Sequence, residues 1–129
     1  RLYSVQRRRE RYMIMYVFKV LHRLVPNCGF SFHESARTGI RAVVPFIKSG
    51  LSSKLKTLKS NSFNHIAPML YNILPRDMRI VYDPEDSFET FKKDLDIFLS
   101  TIPDQPTVAG LPRSAKSNSL IHQVPSYIV

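Results

Sequence analysis

The chain has 129 residues, 43% of them hydrophobic, and a formal net charge of +9. This length and hydrophobic content support one small core and not two. The longest uninterrupted apolar run, residues 12–18, ends at Lys19 and is far shorter than the roughly 20 residues of a membrane span, so no membrane partner is expected. A single Cys28 cannot form an internal disulfide, which predicts an intracellular location, nuclear or cytoplasmic.

The positive charge is concentrated in the first half of the chain. Residues 1–59 carry a net charge of +11, residues 60–102 carry −3 and residues 103–129 carry +1. Each Lys or Arg that neutralises a phosphate releases counterions, so such a basic block favours a nucleic-acid backbone as its partner. A solvated helix face that keeps the protein soluble is the alternative interpretation.

The residue pattern predicts an α+β chain that is mostly helical and begins with a long helix over residues 4–24. Ser4 is a good N-cap residue, no Pro or Gly interrupts the run, and Pro26 follows it. The apolar face of this helix consists of Met13, Ile14, Val17, Phe18, Val20, Leu21 and Leu24.

A β-hairpin is expected over residues about 40–58, after a loop over residues 25–38. The β-branched run 40–47 forms its first strand, and residues 55–58 form the return strand. Pro45 restricts the first strand to an edge position or a bulge.

Two further helices are expected, over residues about 65–74 and 87–101, and they complete one small domain over residues 4–102. Pro68 falls in the first turn of the earlier helix, and Asp86 with Glu89 forms a capping box for the later one. The later helix has an apolar stripe of Phe88, Phe91, Leu95, Phe98, Leu99 and Ile102. Residues 103–129 have the composition of a flexible, disordered tail, with a weak contact from Leu120 and Ile121.

No pattern in the sequence indicates catalysis, and we expect no catalytic residue, no metal site and no cofactor in this chain. Cys28 and the four histidines have no zinc-ligand spacing. Asp94 and Asp96 are two apart on a predicted helix, so they point away from each other and cannot share a magnesium ion. The glycines are isolated, and no serine or cysteine has a nucleophile motif around it.

The candidate nucleic-acid-binding residues are nine cations of the first half: Arg7, Arg8, Arg9, Arg11, Arg37, Arg41, Lys54, Lys56 and Lys59. The first four occupy almost the whole circumference of the predicted helix, so they cannot all be buried. The other five extend this patch if the hairpin folds beside the helix. Tyr12 and Tyr16 lie one turn apart and are expected to be core or boundary residues, without base contacts.

Six groups of short motifs occur in a characteristic order. They are RLYSVQRRRERY (1–12); FKVL (18–21) with LVP (24–26); RTGIR (37–41); NSF (61–63) with LYNILP (70–75) and MR (78–79); SFETFK (87–92) with LDIFL (95–99) and IPDQP (102–106); and SNSL (117–120). Together they resemble the region downstream of the polymerase core in reverse transcriptases of invertebrate non-LTR retrotransposons. Each motif alone is weak, and the ordered set gives the resemblance its specificity.

The resemblance implies that the parent protein is an RNA-directed DNA polymerase whose catalytic aspartates lie in an upstream palm domain. This chain is then expected to be a non-catalytic C-terminal fragment. Its partners would be the backbone of RNA or DNA and the upstream polymerase domain of the same parent chain. The alternatives are a purely structural module that docks on acidic protein, and a degenerate element remnant without nucleic-acid binding.

Overall fold

The computed structural model describes residues 3–27, 29–85, 87–104 and 119–124. Its elements, in chain order, are α1 Val5–Leu21, β1 Phe32–Ser35, β2 Gly39–Ala42, α2 Ser53–Ser60, α3 Phe63–Asn72, a 3₁₀ turn Arg76–Met78, α4 Ser87–Ser100 and α5 Leu120–Gln123. The predicted class is confirmed: the chain is α+β and mostly helical, with a long first helix and a β-hairpin. No described helix has both the length and the apolar character needed to cross a membrane.

α1 has a clear cap at its start and an unexpected stop at its end. The hydroxyl of Ser4 accepts a hydrogen bond from the backbone N–H of Arg7 at 3.1 Å. The helix ends three residues earlier than predicted, because Arg23 adopts a left-handed φ of 59° and the N–H of Leu24 bonds to the carbonyl of Lys19 at 2.8 Å. A left-handed residue of this kind closes a helix as glycine usually does.

The core is built around α3, on which α1, β2, α2 and α5 all pack. α3 begins two residues earlier than predicted, so Pro68 lies inside the helix and its predicted place in the first turn is wrong. A proline here removes one N–H from the helix, and its fully buried ring adds apolar surface to the core. The rings of Phe18 and Phe91 stack at 4.2 Å between centroids and join α1 to α4.

α4 matches its predicted bounds within one residue and buries the predicted stripe. Phe91, Leu95 and Leu99 are fully buried, as expected for apolar residues four apart on one helix face. Asp86, the predicted N-cap, lies outside the described residues.

The observed hairpin joins β2 to the strand before it. β1 and β2 are antiparallel, with Phe32 opposite Ala42 and Ser35 opposite Gly39. Gly39 has a φ of 73°, and a Cβ at this position would lie 3.1 Å from the carbonyl oxygen of Arg79. Glycine therefore permits both the turn and this close approach.

The predicted hairpin over residues about 40–58 is wrong in its return strand, and the predicted loop over 25–38 contains β1. Pro45, which lies after the end of β2, has no N–H to give to a ladder. Ser52 then starts α2, since its hydroxyl accepts the N–H of Leu55 at 3.3 Å. A capped helix therefore replaces the predicted return strand.

The outer edge of β2 is fixed to the core by hydrogen bonds to Asn72 and Arg79. The amide of Asn72 donates to the carbonyl of Ala42 and accepts its N–H, each at 2.8 Å. The carbonyl of Arg79 accepts the N–H of Ile40 at 2.9 Å, and its guanidinium donates to the Ile40 carbonyl at 2.8 Å. Because a two-stranded hairpin is at best marginal by itself, these bonds hold it in place.

The C-terminal segment Ser119–Val124 returns to the core. Leu120 is fully buried, and the carboxylate of Glu10 accepts its N–H at 3.0 Å. The same carboxylate accepts the hydroxyl of Ser119 at 3.2 Å. The contact predicted from Leu120 and Ile121 is therefore present, beyond the boundary predicted at residue 102. The remainder of the predicted tail beyond Asp104 lies outside the described residues.

Replacing Leu120 with Ala is expected to lower the free energy of unfolding by about 2–4 kcal/mol, because it leaves a cavity at a fully buried position. Urea unfolding measures this change. Ile97→Ala is the control, since Ile97 is 67% exposed and its loss is expected to cost under about 0.5 kcal/mol. Equal small effects of the two substitutions would show that the segment is not packed on the core.

We expect the free energy of unfolding to depend on pH through Glu10. Burial raises its pKa above the ordinary 4.5, although the bonds from Leu120 and Ser119 oppose this. A carboxyl group whose pKa rises on folding favours the folded chain most when protonated, so this contribution is lost as the pH rises through the folded pKa. We expect the free energy of unfolding of the wild type to fall, relative to that of Glu10→Gln, as the pH rises from 4.5. A difference independent of pH in urea unfolding would contradict this.

Candidate nucleic-acid interface

Arg7, one of the nine candidate nucleic-acid-binding residues, is buried and bonded within the domain. The side chain is fully buried, and its guanidinium donates to the carbonyl oxygens of Ile102 at 3.5 Å and Pro103 at 2.9 Å. Its Nε lies 3.6 Å from the Glu10 carboxylate. A guanidinium enclosed in this way cannot reach a phosphate in solution.

The position of Arg7 on the helix contains a signal for its burial. Arg7 lies seven residues before Ile14 and eleven before Phe18, two core residues of α1. At 3.6 residues per turn, these separations place the three side chains on nearly the same face. Extending the apolar face toward the N-terminus would therefore have predicted the burial of this arginine.

Arg11 is also engaged within the chain. Its Nε and one terminal nitrogen donate to the two carboxylate oxygens of Asp96 at 2.8 and 3.1 Å. The hydroxyl of Tyr3 donates to the same carboxylate at 2.7 Å. Partial burial opposes the effect, but these hydrogen bonds lower the pKa of Asp96 below its ordinary 3.8. The bidentate pair joins α1 to α4 and occupies the donors that a phosphate would need.

The opposite side of α1 carries cations that remain available. Arg8 and Arg9 are exposed, and among the described residues neither has a carboxylate partner. Tyr12, which is 60% exposed, lies four residues after Arg8 and therefore on the same side of the helix. We call these three residues the cationic face of α1. The expectation that Tyr12 is a core or boundary residue is wrong.

Aromatic contacts connect the cationic face to the start of α3. The ring centroids of Tyr12 and Tyr16 are 6.5 Å apart, and those of Tyr16 and Phe63 are 5.3 Å apart. Phe63 begins α3 four residues after Lys59, which is exposed at the end of α2. These ring contacts place the start of α3, which follows α2, against α1.

The stretch of chain that contains β2, α2 and α3 has an excess of positive charge. Between Glu34 and Asp77 the chain has seven Lys and Arg residues and no carboxylate. The one carboxylate of α1 is Glu10, which is buried against the C-terminal segment. Unbalanced positive charge of this kind attracts polyanions and raises their rate of association.

The hairpin cations form a separate group. Arg37 is exposed at the turn, and Arg41 is half-buried on β2. Burial lowers the pKa of Arg79, and the nearby positive charges of Arg41 and Arg76 lower it further. The structure thus groups Arg41 with Arg76 and Arg79 rather than with the arginines of α1.

Lys54 and Lys56 accompany Lys59 on α2. Lys54 is exposed, whereas Lys56 is half-buried. None of these three lysines has an ion-pair partner among the described residues.

Three candidate metal or catalytic groups, Asp94, Asp96 and His22, have structural partners. Asp94 accepts the hydroxyl of Tyr82 at 3.0 Å, whereas Asp96 binds Arg11. The Nε2 of His22 accepts the N–H of Tyr82 at 2.9 Å. Within the described ranges, no group of three His, Cys, Asp or Glu residues could hold a metal ion.

Comparison of the chain with protein-family models, with curated proteins and with solved structures gives no match. Its function is therefore inferred from its residues and their geometry.

Arg79 is expected to be the cation on which the hairpin depends. Its guanidinium donates to the carbonyl oxygens of Leu74, Thr38 and Ile40 at 2.9, 2.6 and 2.8 Å. Lysine cannot reproduce this planar fork, so Arg79→Lys should lower the free energy of unfolding by about 2–3 kcal/mol. Arg76→Lys, which alters an exposed bond to a single carbonyl, should cost under about 1 kcal/mol. Equal costs in thermal or urea unfolding would contradict this assignment.

Proposed function

We propose that this chain is a non-catalytic, nucleic-acid-contacting domain that belongs to an RNA-directed DNA polymerase of the non-LTR retrotransposon type. The observation that carries the binding part of this proposal is the cationic face of α1, where Arg8 and Arg9 are exposed without carboxylate partners. The domain binds the phosphate backbone of RNA or DNA inside the cell, in the nucleus or the cytoplasm.

The binding is electrostatic and independent of base sequence. The guanidinium groups of Arg8 and Arg9 each present a planar fork that matches two phosphate oxygens. Tyr12 lies beside them and offers an exposed ring on which an unpaired base can stack. Lys54 and Lys59 are exposed on α2 and add further positive charge to the domain. Contacts of these kinds position a nucleic acid without reading its bases.

The polymerase part of the proposal is supported by the ordered motifs of the chain. They resemble the region downstream of the polymerase core in non-LTR retrotransposon reverse transcriptases and run from residue 1 to residue 120. In this proposal the chemistry belongs to an upstream palm domain of the same parent chain. The present domain increases the hold of that polymerase on its template or target.

Replacing Arg8 and Arg9 with Gln tests the proposal directly. Because each phosphate contact contributes roughly 0.7–0.9 to the dependence of log affinity on log salt, the double variant should lose about 1.4–1.8 of this slope. Fluorescence anisotropy with labelled single-stranded RNA and duplex DNA, measured over a salt series, gives the slope. Circular dichroism verifies that α1 stays folded.

The matched control removes the same charge elsewhere. Lys92→Gln/Lys93→Gln lowers the net charge by two on α4 rather than on α1, and should leave most of the slope intact. An equal reduction of the slope by the two double variants would show that only net charge matters. Wild-type protein with no salt-dependent affinity would overturn the proposal.

A structural role for the arginines has its own support, because Arg7 and Arg11 are bound within the chain. In that alternative, Arg8 and Arg9 pair with acidic protein on the polymerase. The same double variant would then bind nucleic acid as the wild type does, but would bind the upstream domain more weakly.

A further inference from the structure

α2 is amphipathic, and its apolar side faces outward. Leu55 is 45% exposed and Leu58 is 60% exposed, and no residue of α2 is buried. The half-buried residues of the helix are instead Lys56 and Ser60. Because an ordinary surface helix turns its apolar stripe toward the core, this orientation leaves Leu55 and Leu58 without the apolar partner they need. We call these two residues the leucine stripe.

Two lysines flank the leucine stripe. Lys54 precedes Leu55, and Lys59 follows Leu58, so at 100° per residue the cations border the apolar side on both edges. Both lysines are exposed and have no ion-pair partner among the described residues. A partner for this surface therefore needs exposed apolar side chains together with carboxylates.

The chain itself carries such a surface in the loop after the 3₁₀ turn. Ile80 is 46% exposed and Val81 is 65% exposed. Asp83 and Glu85 follow them, are exposed, and have no ion-pair partner in the part of the chain that the structure describes. We call these four residues the acidic loop.

The acidic loop is held in place rather than free to collapse. Tyr82, in its middle, donates its N–H to the Nε2 of His22 at 2.9 Å. Its hydroxyl donates to Asp94 at 3.0 Å. These two bonds fix the backbone between the apolar and the acidic residues, so both kinds of side chain are presented together.

We propose that the leucine stripe of one copy of this chain docks on the acidic loop of a second copy. Leu55 and Leu58 pack against Ile80 and Val81, while Lys54 and Lys59 face Asp83 and Glu85. The two surfaces lie on different elements, so the contact is heterologous and can repeat from copy to copy. The protein would then assemble head to tail as its concentration rises.

Charge complementarity favours the acidic loop over two other partners for the leucine stripe and its flanking lysines. Pairing of α2 with a second α2 would bring Lys54 and Lys59 against the same lysines, which is repulsive. A nucleic acid would satisfy the lysines but offers phosphates, and not apolar side chains, to the leucine stripe. The acidic loop satisfies both requirements.

The test is charge reversal with the full chain, without nucleic acid, followed by sedimentation velocity over a concentration series. Lys54→Glu/Lys59→Glu and Asp83→Lys/Glu85→Lys should each weaken self-association by about tenfold or more, because each places like charges across the contact. Mixing the two variants should restore association, because each then finds its complement in the other. Circular dichroism verifies that both variants remain folded.

Two controls separate this contact from general charge effects. Lys92→Glu/Lys93→Glu makes the same charge change on α4 and should associate as the wild type does. Leu55→Ser/Leu58→Ser keeps the lysines and should also lose association. The outcome does not depend on nucleic-acid binding, because the experiment contains no nucleic acid.

Several results would overturn the proposal. They are a wild-type chain that stays monomeric at every concentration, a charge-reversed variant that associates unchanged, or a mixture that fails to regain association. A monomeric chain whose leucine stripe instead binds an acidic amphipathic peptide, or vesicles containing phosphatidylserine, would assign the surface to a different partner.

Discussion

The buried pair of Arg7 and Glu10 holds the beginning of α1 to two later parts of the chain. The guanidinium of Arg7 donates to the carbonyls of Ile102 and Pro103 at the end of the α4 segment. The carboxylate of Glu10 accepts the N–H of Leu120. The two groups lie side by side at one buried site, and each also bonds backbone from a distant part of the chain.

This pair also determines which arginines face solvent. Once Arg7 and Glu10 point inward, the period of the helix directs Arg8 and Arg9 outward. Arg11 lies four residues beyond Arg7 and at the edge of the buried side, where it reaches Asp96. Four arginines that are nearly consecutive in sequence therefore do three different things: one is buried, one forms an ion pair and two are exposed. Their density in the sequence does not measure the charge available to a partner.

Much of the fold could be predicted from the sequence because helix periodicity and capping act locally. α4 follows from its stripe of Phe91, Leu95 and Leu99, and the start of α1 follows from Ser4. The hairpin could not be predicted in the same way. Asn72 and Arg79, which bind the outer edge of β2, lie in a distant part of the chain.

The sequence could predict the excess of positive charge at the candidate site, but not which of the cations are exposed there. The stretch without carboxylates between Glu34 and Asp77 can be read directly from the sequence. The burial of Arg7 and the pairing of Arg11 depend on contacts with residues about ninety positions away in the chain. The local sequence pattern carries little information about contacts at such separations. It could identify the basic half of the chain, but not which of its cations are buried, paired or exposed.

The cationic face and the leucine stripe have a consequence when they are considered together. Tyr16 of α1 contacts Phe63, which begins α3 shortly after the end of α2, at 5.3 Å between ring centroids. If copies join through α2, their cationic faces repeat along the assembly. A polyanion that binds one face then meets the next at high effective concentration, and its overall affinity rises without any new type of contact. Weak binding by two exposed arginines per copy would in this way become firm binding to a long nucleic acid, while a short oligonucleotide would gain nothing.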